Sequence, residues 1–151
     1  MKSRFLKVMG VLAVAASMLG LTACSTAEKA DGFGPKHKLV IQVSSKDPLT
    51  HKMAVNNAVN VQKALGVDNV AVEIVAYGPG LSMLTPKSKQ AKRIKSLAVQ
   101  GITFSACGNT MKKIAKKKGK TPKLVKGVQV VPAGVGRIIA LQEKGYSYIR
   151  P

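Results

Sequence analysis

Cys107 is the residue of this 151-residue chain with the clearest capacity for chemistry. It follows a predicted buried strand, residues 101–106, and precedes a predicted helix that begins near Asn109. The first backbone N–H groups of a helix have no partner within the helix, so they stabilise an anion that lies there. A thiol in such a position has a lowered pKa and forms the nucleophilic thiolate more readily. The sequence therefore predicts that Cys107 is reactive.

The residues that follow Cys107 have the properties that such a site requires. Gly108 allows the backbone to approach closely, and Asn109 or Thr110 can cap the helix. Lys112 and Lys113 lie in the same predicted helix and add positive electrostatic potential near the thiol. We therefore expect Gly108, Asn109 and Thr110 to stabilise a thiolate or persulfide at Cys107. We also expect the folded protein to react with iodoacetamide with a lowered apparent pKa.

Two other interpretations of Cys107 are consistent with the sequence. A single cysteine is often a small apolar core residue without chemistry. An unpaired thiol in an exported protein can also form a disulfide between chains. These three possibilities differ in the exposure and the surroundings that they predict for the sulfur atom.

The N-terminal segment has the features of an export signal. Basic residues are followed by an apolar run, residues 8–21, which is too short for a spanning helix. The run ends in Leu-Thr-Ala-Cys, which is similar to a bacterial lipobox with Cys24 as the lipidated residue. We therefore predict a signal peptide at residues 1–23 and a lipidated tether at residues 24–36. The alternative is ordinary secretion with cleavage after Ala27.

The predicted location is the periplasmic side of the bacterial cell envelope. Ser25, rather than an aspartate, follows Cys24, and this favours the outer membrane over the inner membrane. A lipid on Cys24 would hold the protein at the membrane without a spanning helix.

The chain is strongly basic, with 25 Lys and Arg residues against 6 acidic ones and a net charge of +19. Nucleic acid is not the expected partner, because no aromatic residues alternate with the lysines to stack on bases. An acidic protein or anionic lipid remains possible, and so does selection for a basic surface by the habitat. The lysine-rich run at residues 112–126 is either a solvated face or a docking surface.

Residues 37–151 alternate between strand and helix patterns. Predicted strands lie at residues 38–44, 70–76, 102–106, 128–131 and 146–149, and predicted helices at 48–65, 86–100, 109–118 and 134–144. This alternation predicts one α/β domain, a three-layer α/β/α fold with a mostly parallel sheet of about five strands. Ligands of such sheets bind at the carboxyl ends of the strands, where Cys107 lies.

Several other kinds of site are not indicated. The chain has no glycine-rich phosphate loop and no G-x-S-x-G nucleophile elbow. His37 and His51 are not accompanied by clustered thiols or carboxylates, so we predict neither a metal site nor a cofactor.

Three segments of the domain resemble the DsrE/DsrF-like proteins of sulfur metabolism. They are residues 54–58, the Phe-Ser-Ala-Cys-Gly-Asn-Thr segment at 104–110, and the C-terminal residues 130–135 with 141–151. The resemblance implies a flavodoxin-like fold, homo-oligomers, and a cysteine that carries a persulfide between donor and acceptor proteins. Cys107 is in the matching position, so the implied function is a lipid-anchored sulfur carrier, at most a sulfur-transferase-like one. The alternative is a non-catalytic oligomeric binding module at the cell envelope.

Overall fold

Five parallel strands form the central sheet of the part of the chain that the computed structural model describes, residues 34–151. The strands are β1 (His37–Val43), β2 (Val70–Ala76), β3 (Ile102–Cys107), β4 (Val128–Val131) and β5 (Ser147–Ile149). The helices are α1 (Pro48–Leu65), α2 (Ala91–Val99), α3 (Gly108–Lys118) and α4 (Gly134–Glu143), with 3₁₀ helices at Val67–Asn69 and Gly78–Leu84. The predicted signal peptide and nearly all of the predicted tether lie outside the described residues.

The strand order explains the division of the helices between the two faces. The order is β4-β3-β2-β1-β5, and every neighbouring pair is parallel. From β1 to β4 the chain moves steadily in one direction, and β5 then returns to the other side of β1. Because parallel crossovers are right-handed, the first three helices lie on one face and α4 lies on the other. The predicted three-layer, flavodoxin-like α/β/α fold is confirmed.

The two faces of the sheet are packed unequally. The face toward α1 and α2 carries the larger apolar core, which includes Ile41, Ile74 and Phe104. The opposite face has a small apolar cluster, in which α4 packs Ile138 and Leu141 against the strands. Polar side chains occupy much of the rest of this second face, as described below.

Helix α1 begins where the sequence predicts. The Asp47 carboxylate accepts hydrogen bonds from the N–H groups of Leu49 and Thr50, and Pro48 occupies the first turn. Helix α2 starts later than predicted, at Ala91 rather than near residue 86. Hydroxyl groups form turns in the intervening segment: Thr85 donates to the Ser82 carbonyl, and Ser88 accepts from the Gln90 N–H. Such local bonds compete with helix formation.

Close backbone packing shapes the carboxyl edge of the sheet. A Cβ atom at Gly80 would overlap the backbone carbonyl of Val43, the last residue of β1. Only glycine therefore allows the 3₁₀ helix Gly78–Leu84 to lie directly against the end of β1. Within the described residues, no helix is both long enough and apolar enough to cross a lipid bilayer.

Candidate functional site

Cys107 is the last residue of β3 and the N-cap of α3. Strand β3 therefore extends one residue beyond its predicted end, and the strand passes into the helix without an intervening loop. The cysteine is 6% exposed, so its sulfur lies beneath the surface at the carboxyl edge of the sheet. This burial argues against an interchain disulfide, which requires that another chain reach the sulfur.

Hydrogen-bond donors converge on the Cys107 sulfur from two helix starts. The Gly134 N–H, at the start of α4, donates to Sγ with a nitrogen–sulfur distance of 3.2 Å. From the first turn of α3, Thr110 acts on the sulfur through its hydroxyl and its N–H. The Thr110 hydroxyl is fixed in place, because its oxygen also accepts a 2.9 Å hydrogen bond from the Gly78 N–H.

The pKa of the Cys107 thiol lies below its ordinary value as a result. Burial is the largest single influence and raises the pKa, because it disfavours the charged thiolate. The hydrogen bonds from Thr110, Gly134 and Asn109 lower the pKa, and together they outweigh burial. The Asn109 N–H adds the smallest contribution, since it is directed to the Pro132 carbonyl at 3.2 Å.

The residues predicted to stabilise the anion contribute in different ways. Thr110 acts directly on the sulfur, whereas Asn109 contributes little. Gly108 permits close packing, because a Cβ atom there would lie 3.1 Å from the Val131 carbonyl oxygen. Lys112 and Lys113 are exposed and are not among the groups that shift the pKa of Cys107.

Gly134 has a comparable steric role on the opposite side of the sulfur. A Cβ atom at this position would lie 2.9 Å from Cβ of Tyr77 and 3.2 Å from Cβ of Cys107. The start of α4 therefore approaches the thiol more closely than any other residue type would allow. The sequence did not identify Gly134 as a donor to the sulfur, because the pattern of residues 128–144 does not show how close this helix start comes to Cys107.

A polar cluster links α4 to the sheet beneath it. Glu73, on β2, is 3% exposed and forms a two-pronged ion pair with Arg137 of α4, with distances of 2.8 and 2.7 Å. The Ser105 hydroxyl donates to the same carboxylate at 2.5 Å and accepts from the Gln129 amide at 2.9 Å. We call these four residues, Glu73, Ser105, Gln129 and Arg137, the Glu73 cluster. Each of them is hydrogen-bonded to another member.

The Glu73 cluster connects to Cys107 through the backbone. Ser105 precedes Cys107 by two residues on β3, and Arg137 follows Gly134 by three residues on α4. The cluster does not act on the thiol by charge, since neither Glu73 nor Arg137 contributes to the pKa shift of Cys107. A glutamate within an otherwise apolar strand was the sequence signal that could have revealed a buried partner.

The other candidate residues lie apart from this site. His51 is buried in α1, where its Nε2 atom hydrogen-bonds the Ser45 carbonyl at 2.9 Å, and His37 begins β1. Across residues 34–151 no group of histidine, cysteine or acidic side chains is arranged to hold a metal ion. The predicted lipidation residue, Cys24, lies outside the described residues.

The fold and the site define a class: a parallel α/β domain with a cysteine held at a helix start on the carboxyl edge of the sheet. The DsrE/DsrF-like family profile matches residues 37–151, and the chain belongs to this family. Membership of this family gives the protein a general role in sulfur relay.

A solved structure of related fold supports the same assignment. The chain is similar to the protein of unknown function MTH1491 from Methanobacterium thermoautotrophicum, with 31% sequence identity and a TM-score of 0.68. The similarity covers 76% of this chain and 99% of that one. No curated protein matches the chain.

Proposed function

We propose that Cys107 carries sulfur as a persulfide, which it accepts from a donor and passes to an acceptor. The observation that carries this proposal is the set of donors from α3 and α4 around one sulfur atom. Donors placed in this way favour an anion on the sulfur despite its burial. Family membership supports a role in sulfur relay, and the geometry supports Cys107 as the residue that performs it.

The proposed transfer needs no cofactor and no net oxidation. The Cys107 thiolate attacks the outer sulfur of a donor persulfide, so a new S–S bond forms and the donor's S–S bond breaks. The donor leaves as a thiolate with the bonding electron pair. An acceptor thiolate then attacks the outer sulfur on Cys107 in the same way and regenerates the thiolate.

The burial of Cys107 restricts which donors can reach it. At 6% exposure, the sulfur is accessible to a small polysulfide or to a narrow, extended donor more readily than to a broad protein surface. Burial is also the observation that favours the alternative, a non-catalytic oligomeric binding module in which Cys107 only fills space.

The mass of the intact protein distinguishes the two functions. After incubation with polysulfide, the wild-type chain should gain the mass of one sulfur atom, and peptide mapping should place it on Cys107 rather than Cys24. The Cys107→Ser variant nearly keeps the size of the side chain and should carry no added sulfur outside the peptide that contains Cys24. A wild-type mass that stays unchanged would favour the binding module.

The pH dependence of alkylation tests the state of the thiol. Because the thiolate is the nucleophile, the rate of reaction with iodoacetamide should rise as the pH passes through the pKa of Cys107. In the folded protein this rise should occur at lower pH than in the urea-denatured chain, because the folded-state pKa is lowered. A cysteine that is alkylated only after denaturation would contradict the carrier proposal.

We also propose that the protein is lipid-anchored through Cys24 in the cell envelope and self-associates. The lipobox-like sequence supports the anchor, and the mass of the protein purified from its host would reveal the lipid.

Family membership supports self-association, as do the exposed apolar residues Val135 and Ile139 on the outer side of α4. Native mass spectrometry would give the number of subunits.

A further inference from the structure

A cavity at the carboxyl edge of the sheet is lined by residues that do not include Cys107. It has a volume of about 260 Å³ and lies between the loop after β1 and the hydroxyl-rich turns before α2. Its lining includes His51, the buried histidine that the proposed sulfur chemistry does not use. Sites for drug-sized ligands occupy roughly 300–1,000 Å³, so this cavity suits a smaller molecule.

The charge around the cavity is positive. Lys46, Lys87 and Lys89 line it, and no acidic side chain does. The nearest carboxylate in sequence, that of Asp47, is engaged by the N–H groups of Leu49 and Thr50 at the start of α1. The Asp47 carboxylate keeps its negative charge but forms no ion pair with these lysines in the described part of the chain, so three cations outnumber one acidic group beside the cavity.

Lysines cover much of this protein, so charge alone does not distinguish the cavity from the remaining surface. The distinguishing feature is the polar wall behind the lysines. Gln90 is 9% exposed and lines the cavity. Its side-chain oxygen accepts a hydrogen bond from Arg93 at 3.3 Å, which leaves the amide N–H groups to donate to a ligand.

The neighbouring serine adds a donor of the same kind. The Ser88 oxygen accepts the Gln90 N–H at 3.1 Å, so the hydroxyl hydrogen of Ser88 remains to donate. The His51 ring is held by the Ser45 carbonyl, and because a carbonyl only accepts, Nε2 carries the proton in this bond. A rigid wall with donors, bordered by three lysines, is complementary to a compact anion with several acceptor oxygens.

We propose that this cavity binds a small tetrahedral oxyanion, of the phosphate, sulfate or thiosulfate type. The ammonium groups of the three lysines attract the anion, and the Gln90 amide and the Ser88 hydroxyl hydrogen-bond its oxygens. The site is distinct from Cys107 and does not depend on the persulfide chemistry.

Calorimetric titration of the full chain with phosphate, sulfate and thiosulfate, at constant ionic strength set with chloride, tests the proposal. We expect saturable binding that the Lys87→Ala/Lys89→Ala variant weakens by about fivefold for each lysine removed. The matched control is Lys116→Ala/Lys117→Ala on α3, which removes the same charge from a helix end outside the cavity. Binding that does not saturate, or that both variants weaken equally, would show only diffuse counterion attraction and overturn the proposal.

A second variant tests the polar wall. Gln90→Glu keeps the shape of the side chain but introduces a carboxylate, so it should abolish oxyanion binding while thermal unfolding still shows a folded protein. Unchanged affinity in Gln90→Glu would overturn the proposal. Vesicles containing phosphatidylglycerol, added as competitors of the saturably bound free ion, separate the two sources of the anion. Competition with the same sensitivity to Lys87 and Lys89 would identify the oxyanion as a lipid head group, and its absence would identify a free ion.

Discussion

Arg137→Met should reduce the free energy of unfolding by about 3 kcal/mol. The substitution leaves the Glu73 carboxylate, which is 3% exposed, with the Ser105 hydroxyl but without its cation. We expect a value at the low end of the range for broken buried pairs, because the Arg137 side chain is 32% exposed and water can enter beside it. Urea denaturation followed by circular dichroism measures the loss.

Arg93→Met is the matched control for this prediction. Arg93 also makes side-chain hydrogen bonds, but to the uncharged oxygens of Asn56 and Gln90, and its own side chain is exposed. Its replacement should therefore change stability by no more than about 0.5 kcal/mol. Equal losses in the two variants would contradict the view that the Glu73–Arg137 pair holds α4 to the sheet.

Replacing both members of the pair separates loss of attraction from the cost of a buried, unpaired charge. Glu73→Met/Arg137→Met should recover much of the stability that Arg137→Met loses, because no charge then remains buried without a partner. If α4 needs the ion pair to hold Gly134 against Cys107, the pKa of Cys107 should rise in this double variant even though its stability is largely recovered. The rate of alkylation would then increase at a higher pH than in the wild type. An unchanged profile would limit the pair to a structural role.

Gly134→Ala should have the second large effect, on both stability and the thiol. The added methyl group would lie 2.9 Å from Cβ of Tyr77, so α4 or its neighbours must move, at a cost of about 1–3 kcal/mol. Movement of α4 lengthens the 3.2 Å hydrogen bond from the Gly134 N–H to the sulfur. Because burial persists while a donor is lost, the pKa of Cys107 should rise, and alkylation should need higher pH.

Gly136→Ala, two residues later in α4, provides the control for this substitution. A Cβ atom there has its nearest neighbour at 3.7 Å, which is ordinary contact. Alanine is a better helix former than glycine, so this variant should be unchanged or more stable by up to about 1 kcal/mol. If the alkylation profile of Gly134→Ala matched those of Gly136→Ala and the wild type, the N–H of Gly134 would not set the thiol pKa.

Local patterns in the sequence predicted the elements of this fold well. The sequence predicted β2 with the bounds that the structure shows, because a β-branched apolar run strongly indicates a strand that is covered on both faces. Asp47 followed by Pro48 correctly predicted the start of α1. The main error was the segment before α2, where hydroxyl side chains bond the backbone in turns that periodicity does not reveal.

The sequence by itself determined the parallel α/β order and the position of Cys107 at a strand-to-helix junction, because both depend on residues that are neighbours along the chain. The tertiary structure decided the surroundings of the sulfur. Gly134 lies 27 residues from Cys107, and the pairing of β4 with β3 brings the two together. Arg137 lies 64 residues from Glu73, and the return of α4 across the sheet brings these two together. A hydrogen bond tolerates a variation of only a few tenths of an ångström in the donor–acceptor distance, and no local sequence pattern encodes positions that finely.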